Sequence, residues 1–250
     1  MRINKLKDLF VSLVALTALS IHTPSKAYEI YDAGAFLNSP SLSALSLGYL
    51  DGVYNDFAGS GVDLSFVNSL DSNGLGQLTW EFTNNTATTL FGVNLFGYLD
   101  GEIDSDLNSS FNEYGQFVSV SGVGSADTDP DSWEIDEPGF VFGDIYDNLF
   151  LGQLDNSNGV PLGAEDDVSL ALGFELGDIL AGDTWLLALT ISEENIGGLF
   201  HGDDHSGTGI YMNGSVTIDR ATPVDEPAPF YLFLMGLTGL FLAHRTRPGH

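Results

Sequence analysis

Between Tyr28 and Ala221 the chain carries 32 aspartates and glutamates, no lysine, and a single arginine, Arg220. That imbalance limits what the segment can fold into more than any motif does. A formal charge of −31 over 194 residues cannot be offset by internal ion pairs, so compaction must come from apolar burial working against self-repulsion. High charge leads to disorder only where apolar content is low. Here Phe, Leu, Val, Tyr and Trp are plentiful enough to build a sizeable interior. There is no cysteine, so no disulfide can brace the domain, and the core and bound cations are what remain. The lack of clustered Lys and Arg excludes nucleic-acid binding by phosphate neutralisation, and unaided adhesion to an anionic membrane with it.

Within this segment, apolar or alternating stretches recur between clusters of Gly, Asn, Asp and Ser. The clearest are residues 61–67, 77–85, 90–103, 113–123, 168–180, 184–192 and 208–219. Short strands at such spacing predict an all-β fold, a β-sandwich of the immunoglobulin-like or jelly-roll kind. The sequence Asn84-Asn85-Thr86-Ala87 reads as the turn of a hairpin between residues 78–82 and 91–96. Residues 42–49 and 145–154 read as short helical turns, and 127–139, dense in acid and proline, as a loop. No internal repeat of solenoid period is present.

The two ends differ from this domain. Arg2, Lys5 and Lys7 precede an apolar stretch at 9–21, and Ser25 and Ala27 are the small residues of a cleavage site. This is the pattern of a secretory signal peptide, residues 1–27, forming a helix that the Sec export machinery and signal peptidase would read, with the cut after Ala27. At the other end, Val224-Asp225-Glu226-Pro227 is followed by the apolar run 230–243 and then by Arg245 and Arg247. A run of 14 residues is short against the roughly 20 needed to span a bilayer. The alternatives to a sorting signal are an ordinary C-terminal anchor and a buried C-terminal helix. The arginines would stay cytoplasmic, leaving the preceding chain outside.

The order of motif, apolar helix and basic terminus in residues 222–250 resembles the PEP-CTERM sorting signal of Gram-negative bacteria. The usual motif there is Val-Pro-Glu-Pro, and Asp225 stands in place of its first proline. The resemblance covers the tail alone. It implies recognition by an exosortase, a membrane-embedded protease, with cleavage near the motif. It also implies transient membrane anchoring, then residence at the cell surface or outside it, in association with exopolysaccharide.

Three groups of residues in the acidic domain have the composition of a metal site. Asp100, Glu102, Asp104 and Asp106 alternate strictly, which on a strand sets four carboxylates on one side, where they repel without a cation. Asp127, Asp129 and Asp131, with Glu134 close behind, give the density of oxygen that Ca²⁺ takes. The spacing is not that of an EF-hand, because Ser132 and Pro138 stand where its glycine and bidentate glutamate belong. A solvated acidic loop is the alternative. His201, Asp203 and His205 offer imidazole and carboxylate to Zn²⁺ or Mn²⁺, or else form a hydrogen-bonded turn.

No catalytic residue stands out, and the chain is not read as an enzyme. It has no cysteine nucleophile and no Gly-x-Ser-x-Gly elbow, and Gly74-Leu75-Gly76 opens no helix. Trp80 and Trp185, at alternating positions, read as core, and Trp133 as the best exposed aromatic. The expected function is that of an exported structural protein of the surface or exopolysaccharide matrix, tuned by Ca²⁺. A carbohydrate-binding module is the alternative, and a secreted glycosidase-type hydrolase working through paired carboxylates is the third reading.

Overall fold

The structure is a computed structural model that describes residues 28–48, 57–103, 110–119, 129–139 and 142–222. Ala27, the motif Val224, Asp225, Glu226 and Pro227, and the apolar runs at 9–21 and 230–243 lie outside these residues, as do Asp104, Asp106 and Asp127. Among the described residues no helix is long and apolar enough to cross a membrane.

The described chain is all-β, in two antiparallel sheets. The strands are β1 (Tyr28–Ser39), β2 (Leu42–Gly48), β3 (Val62–Asn68), β4 (Gly76–Asn84), β5 (Leu90–Ile103), β6 (Glu113–Ser119), β7 (Ser132–Asp136), β8 (Ser169–Ile179), β9 (Thr184–Ser192), β10 (Gly198–Asp203) and β11 (Gly209–Asp219). Five form a sheet in the order β2-β1-β5-β8-β7, and six form a second in the order β3-β4-β9-β11-β10-β6.

Period-two patterning determines which faces meet. Leu78, Trp80 and Phe82 of β4 alternate inward beside Trp185, Leu187, Leu189 and Ile191 of β9, and all are buried. The Phe82 and Trp185 rings stack 5.5 Å apart and 6° from parallel. The two sheets press closest where one of them has no side chain. A Cβ on Gly97 of β5 would stand 2.7 Å from the Leu189 side chain, and one on Gly214 of β11 would stand 3.0 Å from Phe174. Strand β5 is buried on both faces. Helix α1 (Ile145–Leu151), the one α-helix among the described residues, covers its outer side and packs Ile145 and Leu149 against Phe36, Phe96 and Tyr98. Gly152, left-handed at φ 73°, ends that helix and donates to the carbonyls of Asn148 and Leu149.

Four local expectations change. Residues 42–48 are strand β2 rather than a helical turn; the Leu spacing there fits either period, and pairing with β1 decides. Strands β4 and β5 form no hairpin, since β4 pairs with β3 and β9, and β5 with β1 and β8. The chain crosses from one sheet to the other after Asn84, whose side-chain amide binds the carbonyls of Thr88, Ile179 and Leu180. The span 127–139 contains β7, not only loop. Trp133 lies on β7, half-buried and stacked 4.6 Å from Phe117 of β6, where the edges of the two sheets meet. Trp80 and Trp185 are core.

That junction yields a prediction. A Cβ on Gly115 of β6 would lie 2.1 Å from Cγ2 of Ile135 on β7. Gly115→Ala should therefore lower stability by about 1–3 kcal/mol through overpacking, and in denaturant titrations that cost should shrink in an Ile135→Ala background, which removes Cγ2. Equal stability of Gly115→Ala and the parent would show that the sheet edges are not in contact there.

Candidate functional site

At one end of the two sheets the core turns polar. Strands β6 and β10 pair with Glu113 opposite Asp203 and Gly115 opposite His201. Alternation turns Glu113, His201 and Asp203 inward, at 0%, 0% and 1% exposure. From the other sheet come Tyr28 of β1, opposite Ile103, and Asp100 and Glu102 of β5, both buried. Tyr28 Oη lies 3.4 Å from His201 Nδ1, the two rings edge to face at 5.6 Å. The Ile103 N–H donates to Glu113 Oε1 at 3.0 Å, and Ser110 Oγ donates to Glu102 Oε2 at 2.6 Å. His201 Nε2 and Glu113 Oε2 approach to 2.8 Å. Those two atoms and Glu102 Oε1 are buried, and the protonated Glu113 carboxyl is hydrogen-bonded to that of Glu102.

The electrostatics follow from burial among like charges. Burial pushes the Glu113 carboxyl up to about 10; Glu102 and Asp167 add to the rise, while the Ile103 N–H opposes it. Asp100 rises to about 8, first through burial and then through Asp167, Asp32 and Glu113. Burial lowers His201 to about 4, although Glu102, Asp167 and Asp203 favour its charged form. Arg220 gives no help here. It pairs at 2.7 Å with buried Asp183, which also accepts the N–H groups of Leu180 and Ala221. Burial alone would raise Asp183, but these donors outweigh it and hold the carboxyl below its usual value.

The structure thus brings together members of two groups that are separate in sequence, Asp100 with Glu102 and His201 with Asp203. His205 is exposed. Asp203 Oδ1 instead accepts the N–H groups of His205 at 2.5 Å and Ser206 at 3.0 Å, closing a turn. Asp129 is half-buried, and exposed Asp131 accepts the Glu175 N–H at 2.6 Å. Glu134 is buried away from that loop, in a second cluster with Asp144 and Asp155, where one carboxylate oxygen of each lies within 4.8 Å of the others. Asn148 donates to Glu134 at 2.9 Å, and burial, with Asp155 adding, pushes Glu134 up to about 7. Glu113, Asp167, Asp144 and Asp155 were not singled out from sequence. The one available signal was Glu113 opening a period-two stretch whose next inward position is Gly115.

The outer face of the same strands carries a different feature. Tyr114, Phe200 and Tyr211 sit on the adjacent strands β6, β10 and β11, with ring centres 5.9 Å and 4.9 Å apart and tilts of 58° and 49°. The Tyr114 and Phe200 rings lie over glycines: a Cβ on Gly202 would meet Phe200 at 2.5 Å and Tyr114 at 2.7 Å, and one on Gly209 would also meet Phe200. All three are partly exposed.

The chain matches no protein-family model and no curated protein.

The buried cluster gives a pH profile with a definite sign. Glu113 and Asp100 hold protons in the folded state, so their contribution is full below the usual carboxylate range and is lost as pH rises through about 8 and about 10. His201 is held neutral, so stability is also lost as pH falls from 6.5 towards about 4. In chelating buffer the unfolding midpoint should peak near about pH 4–4.5, above which the loss from the two acids outweighs the gain from His201, and fall towards pH 9. Glu113→Gln should flatten the alkaline limb. A midpoint that rises steadily to pH 9 in the parent would contradict this account.

Proposed function

We propose that this chain is an exported structural protein of the cell surface or exopolysaccharide matrix of a Gram-negative bacterium. It is sorted and cleaved through its C-terminal tail and is not an enzyme. The observation that carries this reading is an acidic, lysine-free β domain set between an export signal and a sorting tail. Two structural facts support it. The strands run from Tyr28 to Asp219, so cuts after Ala27 and near Val224–Pro227 would leave the fold whole. Tyr28, the first residue after the first cut, is 4% exposed and is held by the Asn73 carbonyl at its N–H. In this reading the domain is a sandwich of the immunoglobulin-like or jelly-roll kind, flanked in the precursor by two apolar helices, and Ca²⁺ screens its exposed carboxylates. The test is the mass and N-terminal sequence of the exported protein. The expected product begins at Tyr28 and lacks the apolar run, and Glu226→Ala with Pro227→Ala should leave a membrane-held precursor. An exported product with its tail intact would end the sorting reading.

A second reading, carbohydrate binding, is favoured by the stripe of Tyr114, Phe200 and Tyr211. Rings lying over glycine present their faces, which is what stacking on a sugar ring requires. The tilts of 49–58° suit a single twisted chain better than a flat crystalline surface. The charge of the domain favours a neutral polysaccharide over an anionic one. In affinity electrophoresis through a neutral glucan, Phe200→Ala should weaken retardation about tenfold, the loss of one stacked ring. Unchanged retardation, or none in the parent, would remove this reading. The hydrolase reading has less support, because Glu102 and Glu113, at 3% and 0% exposure, are out of a polysaccharide's reach.

A further inference from the structure

We propose that the outer face of the six-stranded sheet holds one uncharged polysaccharide chain laid obliquely across all six strands, with Thr190, Gln77 and Thr79 supplying hydrogen bonds beyond the aromatic stripe. This rests on the carbohydrate-binding reading and extends it, from three rings at one edge of the sheet to a track that reaches the other.

The strand register sets the track. Phe200 of β10 pairs with Tyr211 of β11, and Tyr114 of β6 pairs with Gly202, the next outward position on β10. From Tyr211 the outward positions of β11 continue to Asn213, which pairs with Thr190 of β9, and Thr190 pairs in turn with Gln77 of β4. Thr79, the next outward residue of β4, pairs with Val67 of β3, which is 55% exposed at the far edge of the sheet. Side chains link the polar half of this path. Thr79 Oγ1 donates to Gln77 Oε1 at 3.4 Å, and Gln77 Nε2 donates to Thr190 Oγ1 at 3.3 Å. The Gln77 amide is thereby held across two strands, with its second Nε2 hydrogen and the Thr190 hydroxyl proton still to donate. Six strands about 4.8 Å apart span about 24 Å, the length of about five pyranose rings.

The distribution of charge identifies the occupant. Acids are dense in this domain, yet on the outward positions of these six strands they are Asp63, Glu81 and Asp219. The register gathers all three into two neighbouring rows at the corner away from the stripe. Asp63 lies opposite Thr83, Thr83 opposite Thr184 and Thr184 opposite Asp219, with Glu81 opposite Leu186 in the next row. Asp204, in the turn after β10, lies near the Tyr114 hydroxyl at the outer end of the stripe. Between these acids a band of rings, hydroxyls and amides crosses the sheet without charge. A sugar chain matches both halves of it, with C–H faces for the rings and hydroxyls for the amide and threonines. An anionic chain would be repelled by the carboxylates on either side. A second copy of this protein would bring the same carboxylates, and the band from Tyr211 to Thr79 lacks the apolar centre that a protein interface needs.

The test is a calorimetric titration of the full exported protein with oligosaccharides of two to seven rings cut from a neutral glucan that retards it. Affinity should rise with each ring up to about five and then level. Gln77 is exposed, and Gln77→Ala should weaken binding of the seven-ring oligosaccharide about fivefold while leaving the three-ring one unchanged. Phe200→Ala should weaken both, and Ser65→Ala, outside the band, neither. A carboxymethylated form of the same glucan should bind at least tenfold more weakly than the neutral chain. Affinity that levels at three rings, with Gln77→Ala silent and Phe200→Ala still effective, overturns the track and leaves the stripe. Equal affinity for the carboxymethylated chain overturns the choice of an uncharged ligand. Binding that Phe200→Ala does not weaken, or no binding at any length, removes the carbohydrate reading and the track with it.

Discussion

Cohesion between the two sheets depends chiefly on apolar contact, because nearly all the charges of this domain repel one another. With 32 carboxylates and one guanidinium between Tyr28 and Ala221, no ion-pair network can brace the strands. The structure responds by bringing the sheets close. Gly97 and Gly214 remove side chains where Leu189, Leu172 and Phe174 cross the interface, and Phe82 stacks on Trp185 within the six-stranded sheet's inner face. The one cation is used where it counts most, on Asp183, a fully buried carboxylate at the turn between β8 and β9. Asp63 on β3 and Glu193 and Glu194 between β9 and β10 face water, where their charge is solvated, and at the β3 edge it blunts edge-to-edge pairing.

One end of the interface departs from this economy. There the inner face carries Glu113, His201 and Asp203 in place of Leu and Trp, against Tyr28 and Glu102 from the other sheet. Burying so many acids with no basic partner is costly unless something balances them. The apolar core therefore cannot account for this end by itself. The domain is held by packing along most of its length, and its polar end depends on the protons that Glu113 and Asp100 hold.

The strands were legible where period two was strict. Residues 90–103 and 184–192 coincide with β5 and β9, and the remaining expected strands fall within a few residues of β3, β4, β8 and β11. Helix α1 lies within the helical stretch expected at 145–154. What failed was tertiary in origin. The turn at Asn84–Ala87 looks like a hairpin because sequence does not say that the next strand joins the other sheet. Residues 42–48 gave no clear period, and β7 is short and hidden in acid and proline. At the site, composition identified Glu102 and His201 within two separate local groups. Local spacing could not join them, since they are 99 positions apart and meet only because β5 and β10 face each other across the sandwich. Glu113 was invisible for the same reason: its partner atoms come from Ile103 and His201, neither of which can be read from its neighbours.

The features of the chain bear on one another through its place of folding. If the chain is exported as proposed, it crosses unfolded and completes its structure outside, and without cysteine it cannot lock that structure with disulfides. On that reading the acidic composition is consistent with the fold: repulsion keeps the unfolded chain soluble and apart from its copies until apolar burial joins the two sheets.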